Sequence, residues 1–190
     1  MKASELRHVL CQQRKQLPCH TRQLASARAS ARAASLPTYR HAQHIGVYYA
    51  CNGELNPQTL IQHAWHSGKN IYLPVLCGET LRFAAYNRAS PMRPNRFGIP
   101  EPACSSLHLL DPIQLDLVFA PLVAFDAQGN RLGMGGGYYD KSFAFRPEQN
   151  ASGPILMGLA YDFQRQVKLA AQTWDVPLDG IVTESRHYQA

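Results

Sequence analysis

One strand–helix–strand unit constrains the fold of this chain more than any other feature. An apolar run at 44–50 is followed by a helical pattern that opens at Asn56, with Pro57 at its first position, and ends at Gly68. A second apolar run, 70–75, comes directly after it. Because two strands joined through a helix pair in parallel by a right-handed crossover, the sequence predicts a parallel sheet.

The remaining pattern extends this unit in both directions. Two helices are predicted at the N-terminal end, over 4–17 and 20–36, with Pro18 between them. The strongest buried strand is expected at 116–125, and 136–145 resembles the start of a helix. Further strands are expected at 80–86, 154–161 and 180–185, the last of these being the final strand, and the prolines of 93–102 predict a loop.

Strands that alternate with helices indicate an α/β fold. We predict a single three-layer domain over residues 1–190, with a mostly parallel central sheet flanked by helices and with the two N-terminal helices in addition. The hydrophobic content of 45% is enough for a core.

Composition also excludes several classes of protein. The chain has no apolar stretch of membrane-spanning length, and its polar N-terminal end lacks a signal sequence, so we expect a cytoplasmic protein that does not enter a membrane. Its five cysteines are an odd number without a Cys-x-x-Cys pair. Reduced, buried thiols are therefore favoured over a disulfide framework or a zinc site.

The basic charge is concentrated at one end. Residues 1–40 contain eight Lys and Arg and one acid, a net +7, whereas the other 150 residues carry eleven basic and twelve acidic side chains, a net −1. This asymmetry indicates an anionic partner, which is nucleic acid, nucleotide phosphate or a polyanionic small substrate. Most of these arginines are interpreted as a solvated helix face. An RNA-binding protein is one alternative, but Tyr39 is the only aromatic residue interleaved with them.

The segment "RLGMGGGYYDK" (131–141) joins a buried strand to a helix through four glycines. Glycine lets backbone amides approach a phosphate closely, and Arg131 offers a charged fork to the same group. Asp140 suits a Mg²⁺ ion between itself and the phosphate. Neither the P-loop nor the dinucleotide pattern fits, because Asp140 precedes Lys141 and Tyr138 stands where the third glycine belongs. A tightly packed or mobile turn is the alternative.

The longer stretch "PLVAFDAQGNRLGMGGGYYDK" closely resembles the signature of the 5-formyltetrahydrofolate cyclo-ligase family. Further resemblance lies in "NGELNPQTLI", "GKNIYLPV", "FGIPEP", "WDVPLDGIVT" and the "LR" of the first helix, in order from residue 6 to 183. The resemblance implies an ATP- and Mg²⁺-dependent conversion of 5-formyltetrahydrofolate to 5,10-methenyltetrahydrofolate, with release of ADP and phosphate. Phosphorylation of the formyl oxygen and attack by N10 need positioning and charge neutralisation, but no enzyme nucleophile.

The resemblance also implies site residues. Arg131 and Asp140 are the implied catalytic residues, and Asp140 and Asp175 the implied Mg²⁺ ligands, although a turn acid is the alternative for Asp175. Glu54 and Tyr49 are the implied folate contacts, with a solvated loop acid and a core strand residue as their alternatives. The implied ATP-binding residues are Lys2, Arg7, Arg131, Leu132, Gly133, Met134, Gly135, Gly136, Gly137, Tyr138 and Tyr139. Five of these are also implied to contact the folate: Met134, Gly135, Gly136, Gly137 and Tyr138.

Two positions depart from the family pattern. Many members have lysine where this chain has Ala3, so that Lys2, or Arg7 together with Arg14, takes its place. Some members have lysine where this chain has Gly136. A family member that binds folate without turnover is therefore a second alternative. The expected partners are 5-formyltetrahydrofolate and ATP, without nucleic acid or membrane, and the expected assembly is a monomer.

Overall fold

The computed structural model describes residues 2–104, 108–146 and 153–190, which form five α-helices and twelve strands. The helices are α1 (Ala3–Gln16), α2 (Cys19–Ser35), α3 (Pro37–His41), α4 (Gln58–His66) and α5 (Tyr138–Ser142). The strands are β1 (His44–Gly46), β2 (Asn70–Cys77), β3 (Thr80–Ala85), β4 (Met92–Pro94), β5 (Pro100–Pro102), β6 (Leu109–Leu110), β7 (Leu117–Pro121), β8 (Ala124–Phe125), β9 (Arg131–Leu132), β10 (Ile155–Leu159), β11 (Gly180–Val182) and β12 (His187–Gln189). Within these ranges no helix is both long and apolar enough to cross a membrane.

Eight strands form one central sheet in the order β12-β11-β10-β7-β1-β2-β3-β6. The four pairings among β11, β10, β7, β1 and β2 are parallel, and those at both edges are antiparallel. The unit β1–α4–β2 is the predicted crossover, with Ile45 opposite Ile71 in parallel register. The predicted α/β fold, with a mostly parallel sheet flanked by helices, is therefore confirmed.

The central strands are buried on both faces. In β7, Leu117 and Phe119 pack into the core beneath α2 and α4, whereas Val118 and Ala120 pack on the opposite side with Phe143, which follows α5. Alternate residues of one strand thus enter two different cores, which explains why the strand reads as a continuous apolar run.

The run predicted as one strand at 116–125 is two strands in separate sheets. β7 ends at Pro121, and β8 leaves the central sheet to pair with β9 in an antiparallel hairpin. The buried Asp126 closes the hairpin turn by accepting hydrogen bonds from the amides of Gln128 and Asn130 at 3.0 and 3.1 Å. The glycine segment follows directly after β9, the second strand of this hairpin.

Three other sequence predictions need correction. Residues 93–102 form the β4–β5 hairpin instead of a loop, because a two-stranded ribbon tolerates proline, which lacks an N–H group. The strand at 180–185 is not the last, since β12 follows and pairs with β11. The helix expected over 136–145 is limited to α5, five residues long.

The first predicted strand is also shorter than 44–50. The ladder ends after Val47, whose amide donates to the carbonyl of Tyr72 at 2.9 Å. The hydroxyl of Tyr48 then donates to the carbonyl of Leu55, which folds the following residues into a closed segment. The five cysteines are free thiols, but none is fully buried and Cys19 is exposed, so the expectation of buried thiols was wrong.

Candidate active site

The candidate site lies at the carboxyl edge of the parallel strands, where α/β folds place their ligands. The segment after β1 carries Glu54, and the residues after β7 and β10 bring Leu122 and Tyr161 to the same edge. Helix α1 crosses this edge. Its guanidinium groups reach the carbonyls of Gly133 and Leu122, so the helix contacts both the glycine segment and the ends of the strands.

Glu54 is held rigidly by its own loop. The amide of Cys51 donates to its Oε2 at 3.0 Å, and Nη1 of Arg14 lies 4.0 Å from its Oε1. Gly53, at φ 74°, precedes it, and a Cβ there would come within 2.9 Å of the Arg14 carbonyl oxygen. Only a glycine therefore allows this close approach to α1, and the Glu54 side chain remains 8% exposed.

The pKa of the Glu54 carboxyl group is raised overall, although two neighbouring groups oppose the effect of burial. Burial raises the pKa of its carboxyl group, while the Cys51 amide and the Arg14 guanidinium lower it. Burial likewise raises the pKa of the Cys51 thiol to about 12, with a further increase from the Glu54 charge. Glu54 thus stands in a low-dielectric pocket, where a hydrogen bond to an ionised carboxylate is strong.

Three buried polar atoms around Glu54 lack a hydrogen-bond partner among the described residues: Nε of Arg14 and the hydroxyl oxygens of Tyr139 and Tyr161. Both tyrosines are close enough to Glu54 for its charge to raise their pKa values further, in addition to the larger effect of burial. Buried polar groups normally have partners, so this region suits a polar ligand or ordered water.

Arg7 and Arg14, which the sequence places on one helix face, have different surroundings. Nε of Arg7 donates to the Gly133 carbonyl at 2.8 Å, and its guanidinium lies beside Gly135. Arg14 is 1% exposed, and its Nη1 donates to the Leu122 carbonyl at 3.0 Å. Arg7 therefore belongs to the glycine segment and Arg14 to the Glu54 pocket, so Arg14 is not part of a solvated face.

The glycine segment, Gly133–Gly137, is open to solvent. Gly135 and Gly137 have φ values of 104° and 66°, which side-chain-bearing residues rarely adopt, and the side chain of Met134 is 59% exposed. Gly137 leads into α5, whose first residue, Tyr138, packs against Phe97 with ring centroids 5.9 Å apart. The loop thus presents backbone on one side and an aromatic ring on the other.

Arg131 and Asp140 form an ion pair within the protein. Nη2 of Arg131 lies 2.6 Å from Oδ1 of Asp140, and the Arg131 side chain is 6% exposed. The Val176 amide donates to the same oxygen at 3.1 Å, and Nη1 of Arg131 donates to the Val176 carbonyl. The guanidinium predicted to contact a phosphate therefore already has protein partners, and its visible role is to orient Asp140.

Asp175 precedes Val176, the residue whose amide donates to the Asp140 carboxylate. Its Oδ2 accepts a hydrogen bond from the Gln172 amide at 2.8 Å, the turn-acid arrangement considered from the sequence. The described ranges contain no cluster of three or more metal-ligating side chains. Mg²⁺ is commonly held by one or two carboxylates together with substrate phosphates, and Asp140 and Asp175 are oxygen donors of that type.

The other residues predicted to contact the substrates differ in how exposed they are. Lys2 is exposed at the start of α1, and Leu132 packs against the base of the hairpin with Leu10. Tyr49 is 43% exposed, so the alternative of a core strand residue is wrong. The aromatic ring of Tyr139 packs at the edge of the second core, while Tyr138 and Met134 line the open loop.

Sequence reasoning missed several residues of this site. Arg96, whose guanidinium lies over the Tyr138 ring, falls in the segment predicted as a loop, where the family-like "FGIPEP" was a usable signal. The sequence offered Arg14 only as a substitute, together with Arg7, for the family lysine, and gave no sign that it is buried beside Glu54. Tyr161 gave no signal, because a buried tyrosine follows the ordinary strand pattern.

Comparison with known proteins identifies the family. The model of the 5-formyltetrahydrofolate cyclo-ligase family matches residues 1–184. A 5-formyltetrahydrofolate cyclo-ligase of Haemophilus influenzae is 44% identical over 79% of this chain and 80% of its own, and one of Escherichia coli is 36% identical over 94% and 98%. The solution structure of 5,10-methenyltetrahydrofolate synthetase from Aquifex aeolicus superposes with a TM-score of 0.83 at 28% identity, covering 100% of this chain and 93% of that one. The chain therefore belongs to the 5-formyltetrahydrofolate cyclo-ligase family.

Proposed function

We propose that this protein catalyses the ATP-dependent conversion of 5-formyltetrahydrofolate to 5,10-methenyltetrahydrofolate, with release of ADP and phosphate. The observation that carries the proposal is that α1 joins the Glu54 pocket and the glycine segment at one edge of the sheet, through Arg14 and Arg7. A buried carboxylate and an open, glycine-rich loop suit the two different substrates of this reaction.

Glu54 binds the folate in this proposal. A pterin presents an amino group and a ring N–H, and both are donors that a carboxylate accepts. A cleft of about 420 Å³ adjoins Glu54, which is within the usual size range of small-molecule sites. The unpartnered hydroxyl of Tyr161 offers a further polar contact in the same region.

The glycine segment binds ATP in this proposal. Its amides are free to approach phosphate oxygens, and Arg7, already bonded to the Gly133 carbonyl, brings a positive charge to the loop. Asp140 and Asp175 would hold Mg²⁺, which supplies positive charge to the phosphates. Arg131 fixes the Asp140 carboxylate.

The proposed reaction has two covalent steps. The formyl oxygen attacks the γ-phosphorus of ATP, and ADP leaves. N10 of the folate then attacks the activated formyl carbon, a C–N bond forms, N10 loses its proton to solvent, and phosphate leaves as the C–O bond breaks. Because positioning dominates such phosphoryl transfer, the protein's task is to align the two substrates and neutralise charge.

The two departures from the family pattern shift this charge neutralisation onto fewer groups. Lys141 pairs with Glu79 at 3.0 Å, and Arg131 pairs with Asp140. With glycine at position 136, Arg7 and the bound cation therefore carry most of the phosphate charge. The proposal includes a monomeric, cytoplasmic enzyme that needs no nucleic acid.

The test is the growth of the methenyltetrahydrofolate absorbance band after mixing the protein with 5-formyltetrahydrofolate, Mg²⁺ and ATP. We expect growth only when ATP is present. Folate binding by calorimetry without any growth of the band would instead support a member that binds without turnover. Loss of both binding and turnover, with salt-sensitive RNA binding, would overturn the proposal in favour of the basic helices.

A further inference from the structure

The cleft beside Glu54 has one charged residue on each of two walls. It lies between the first two turns of α2 and the segment 50–59. Glu54 is the one acidic residue among those that line it, and Arg22 the one basic residue. A ligand that fits this cleft would therefore offer hydrogen-bond donors to one wall and an anion to the other.

Arg22 faces the cleft because of its place on the helix. Cys19, Arg22 and Ser26 follow the three- and four-residue spacing of one helix face, and all three line the cleft. The Asn56 amide donates to Oγ of Ser26 at 3.0 Å, which ties this face of α2 to the segment that carries Glu54. The position of Arg22 relative to Glu54 is therefore set by the fold.

Arg22 is half-buried and has no carboxylate partner within 4.0 Å among residues 2–104, 108–146 and 153–190. Its positive charge also affects the buried hydroxyl group of Tyr161. Burial raises the pKa of the Tyr161 hydroxyl to about 12, and the positive charge of Arg22 opposes that increase.

A folate matches this pair of walls. Its pterin ring carries N–H donors, and its other end is a glutamate with two carboxylates. Arginine binds a carboxylate through two parallel N–H···O bonds, which gives both strength and orientation. We infer that Arg22 binds a carboxylate of the glutamate tail of the folate substrate, an assignment that rests on the proposed function.

A phosphate of ATP is the other anion that Arg22 would attract. The residues that line this cleft come from 19–26 and 50–59, and none belongs to the glycine segment. Arg7 is the guanidinium that lies beside Gly135 instead. The geometry therefore favours the glutamate carboxylate, and the two sources are separable by experiment.

The experiment compares two substrates that differ only at the tail: 5-formyltetrahydrofolate and 5-formyltetrahydropteroate, which lacks the glutamate. The selectivity is the ratio of their kcat/KM values in wild type, Arg22→Gln and Arg28→Gln. Arg28 is an exposed arginine of the same helix outside this cleft, so it controls for the loss of one positive charge. We expect a wild-type selectivity of about 10- to 100-fold, retained in Arg28→Gln and falling towards one in Arg22→Gln.

Three results would overturn the assignment: a wild-type enzyme that does not distinguish the two substrates, an Arg22→Gln enzyme that keeps the wild-type selectivity, or an equal loss of selectivity in Arg28→Gln. A raised KM for ATP in Arg22→Gln with selectivity preserved would identify the bound anion as a phosphate. If wild type forms no product from either compound, the proposed function fails. Calorimetric affinities of the two compounds then decide the Arg22 assignment separately, by the same ratio.

Discussion

The Glu54 pocket and the glycine segment lie at the same edge of the sheet but are built in opposite ways. Glu54 is nearly buried, and a backbone amide and the Arg14 guanidinium flank its carboxylate oxygens. The glycine segment is exposed and offers backbone, with Met134 open to solvent. In the first region, protein contacts already hold the side chain that would bind a ligand. In the second, the exposed backbone itself would contact the ligand.

This difference matches the chemistry that each region would perform in the proposed reaction. A neutral ring is recognised by few hydrogen bonds, and each is stronger when the protein partner is buried and already oriented. A polyphosphate carries its own charge and is strongly hydrated, so many backbone amides and a mobile cation suit it better. Substitutions in the two regions are therefore expected to separate folate binding from ATP use.

The largest effect is expected at Asp140, on the ATP side. Asp140→Asn keeps the shape of the side chain but removes the charge that pairs with Arg131 and would bind Mg²⁺. We expect kcat to fall about 100- to 1000-fold while the calorimetric affinity for folate is unchanged. Asp111→Asn, which removes an exposed carboxylate that pairs with Arg82, is the control. A wild-type kcat in Asp140→Asn would remove Asp140 from the reaction.

Glu54→Gln is the corresponding change on the folate side. Glutamine preserves the acceptor for the Cys51 amide, so the loop is retained, but the charged acceptor for the pterin is lost. We expect the dissociation constant for folate to rise about 10- to 100-fold, with the KM for ATP close to wild type. Equal losses for both substrates would mean that the two regions are not independent in the way described above.

Two glycine substitutions test whether the glycine segment must keep its backbone conformation to bind ATP. Gly135→Ala places a side chain at a φ of 104°, a conformation that costs about 1–3 kcal/mol, whereas Gly133 has neither a positive φ nor any atom within 4 Å of a built Cβ. We expect the KM for ATP to rise about 10-fold in Gly135→Ala and to change little in Gly133→Ala. Indistinguishable values for the two variants would argue against a defined loop conformation in the ATP complex.

The smallest expected effect is a shift in the pH at which the affinity for folate falls. Because burial raises the pKa of Glu54, its carboxylate becomes protonated at a higher pH than an exposed glutamate, and the affinity for folate should fall as the pH drops through that range. Arg14 lowers this pKa, so Arg14→Met should move the fall to higher pH and weaken binding a few-fold at neutral pH. Lys15→Met, on the exposed face of α1, should leave the profile in place. Calorimetric measurement of the folate affinity across the pH range tests this prediction. Thermal unfolding confirms that Arg14→Met is folded.

The central fold was predictable because its signal is local. The β1–α4–β2 crossover and the two N-terminal helices follow from hydrophobic spacing and from turn residues such as Pro18 and Gly68. The break at Pro121 was not predictable, because the apolar run continues through it and no residue type marks where the chain leaves the central sheet for the β8–β9 hairpin. The last strand, His187–Gln189, is short and partly polar, so no periodicity marks it.

The site was predictable only in part, and for a comparable reason. The glycine segment was identified from its own residues and Glu54 through the family resemblance, and helix α1 contacts both regions in the structure. The burial of Arg14 and the partners of Arg131 depend on contacts with Leu122 and Val176, far away in the sequence. A guanidinium on an amphipathic helix looks solvated until the surface that covers it is known.

Helix α1 has one more consequence. Arg7 and Arg14 are about 10 Å apart along a single rigid rod, and one contacts the glycine segment while the other contacts the Glu54 pocket. A shift of the rod would change both contacts together, so any coupling between the two proposed substrates would pass through it. Thermodynamic reciprocity then applies. Any factor by which bound ATP raises the affinity for the folate is the factor by which bound folate raises the affinity for ATP.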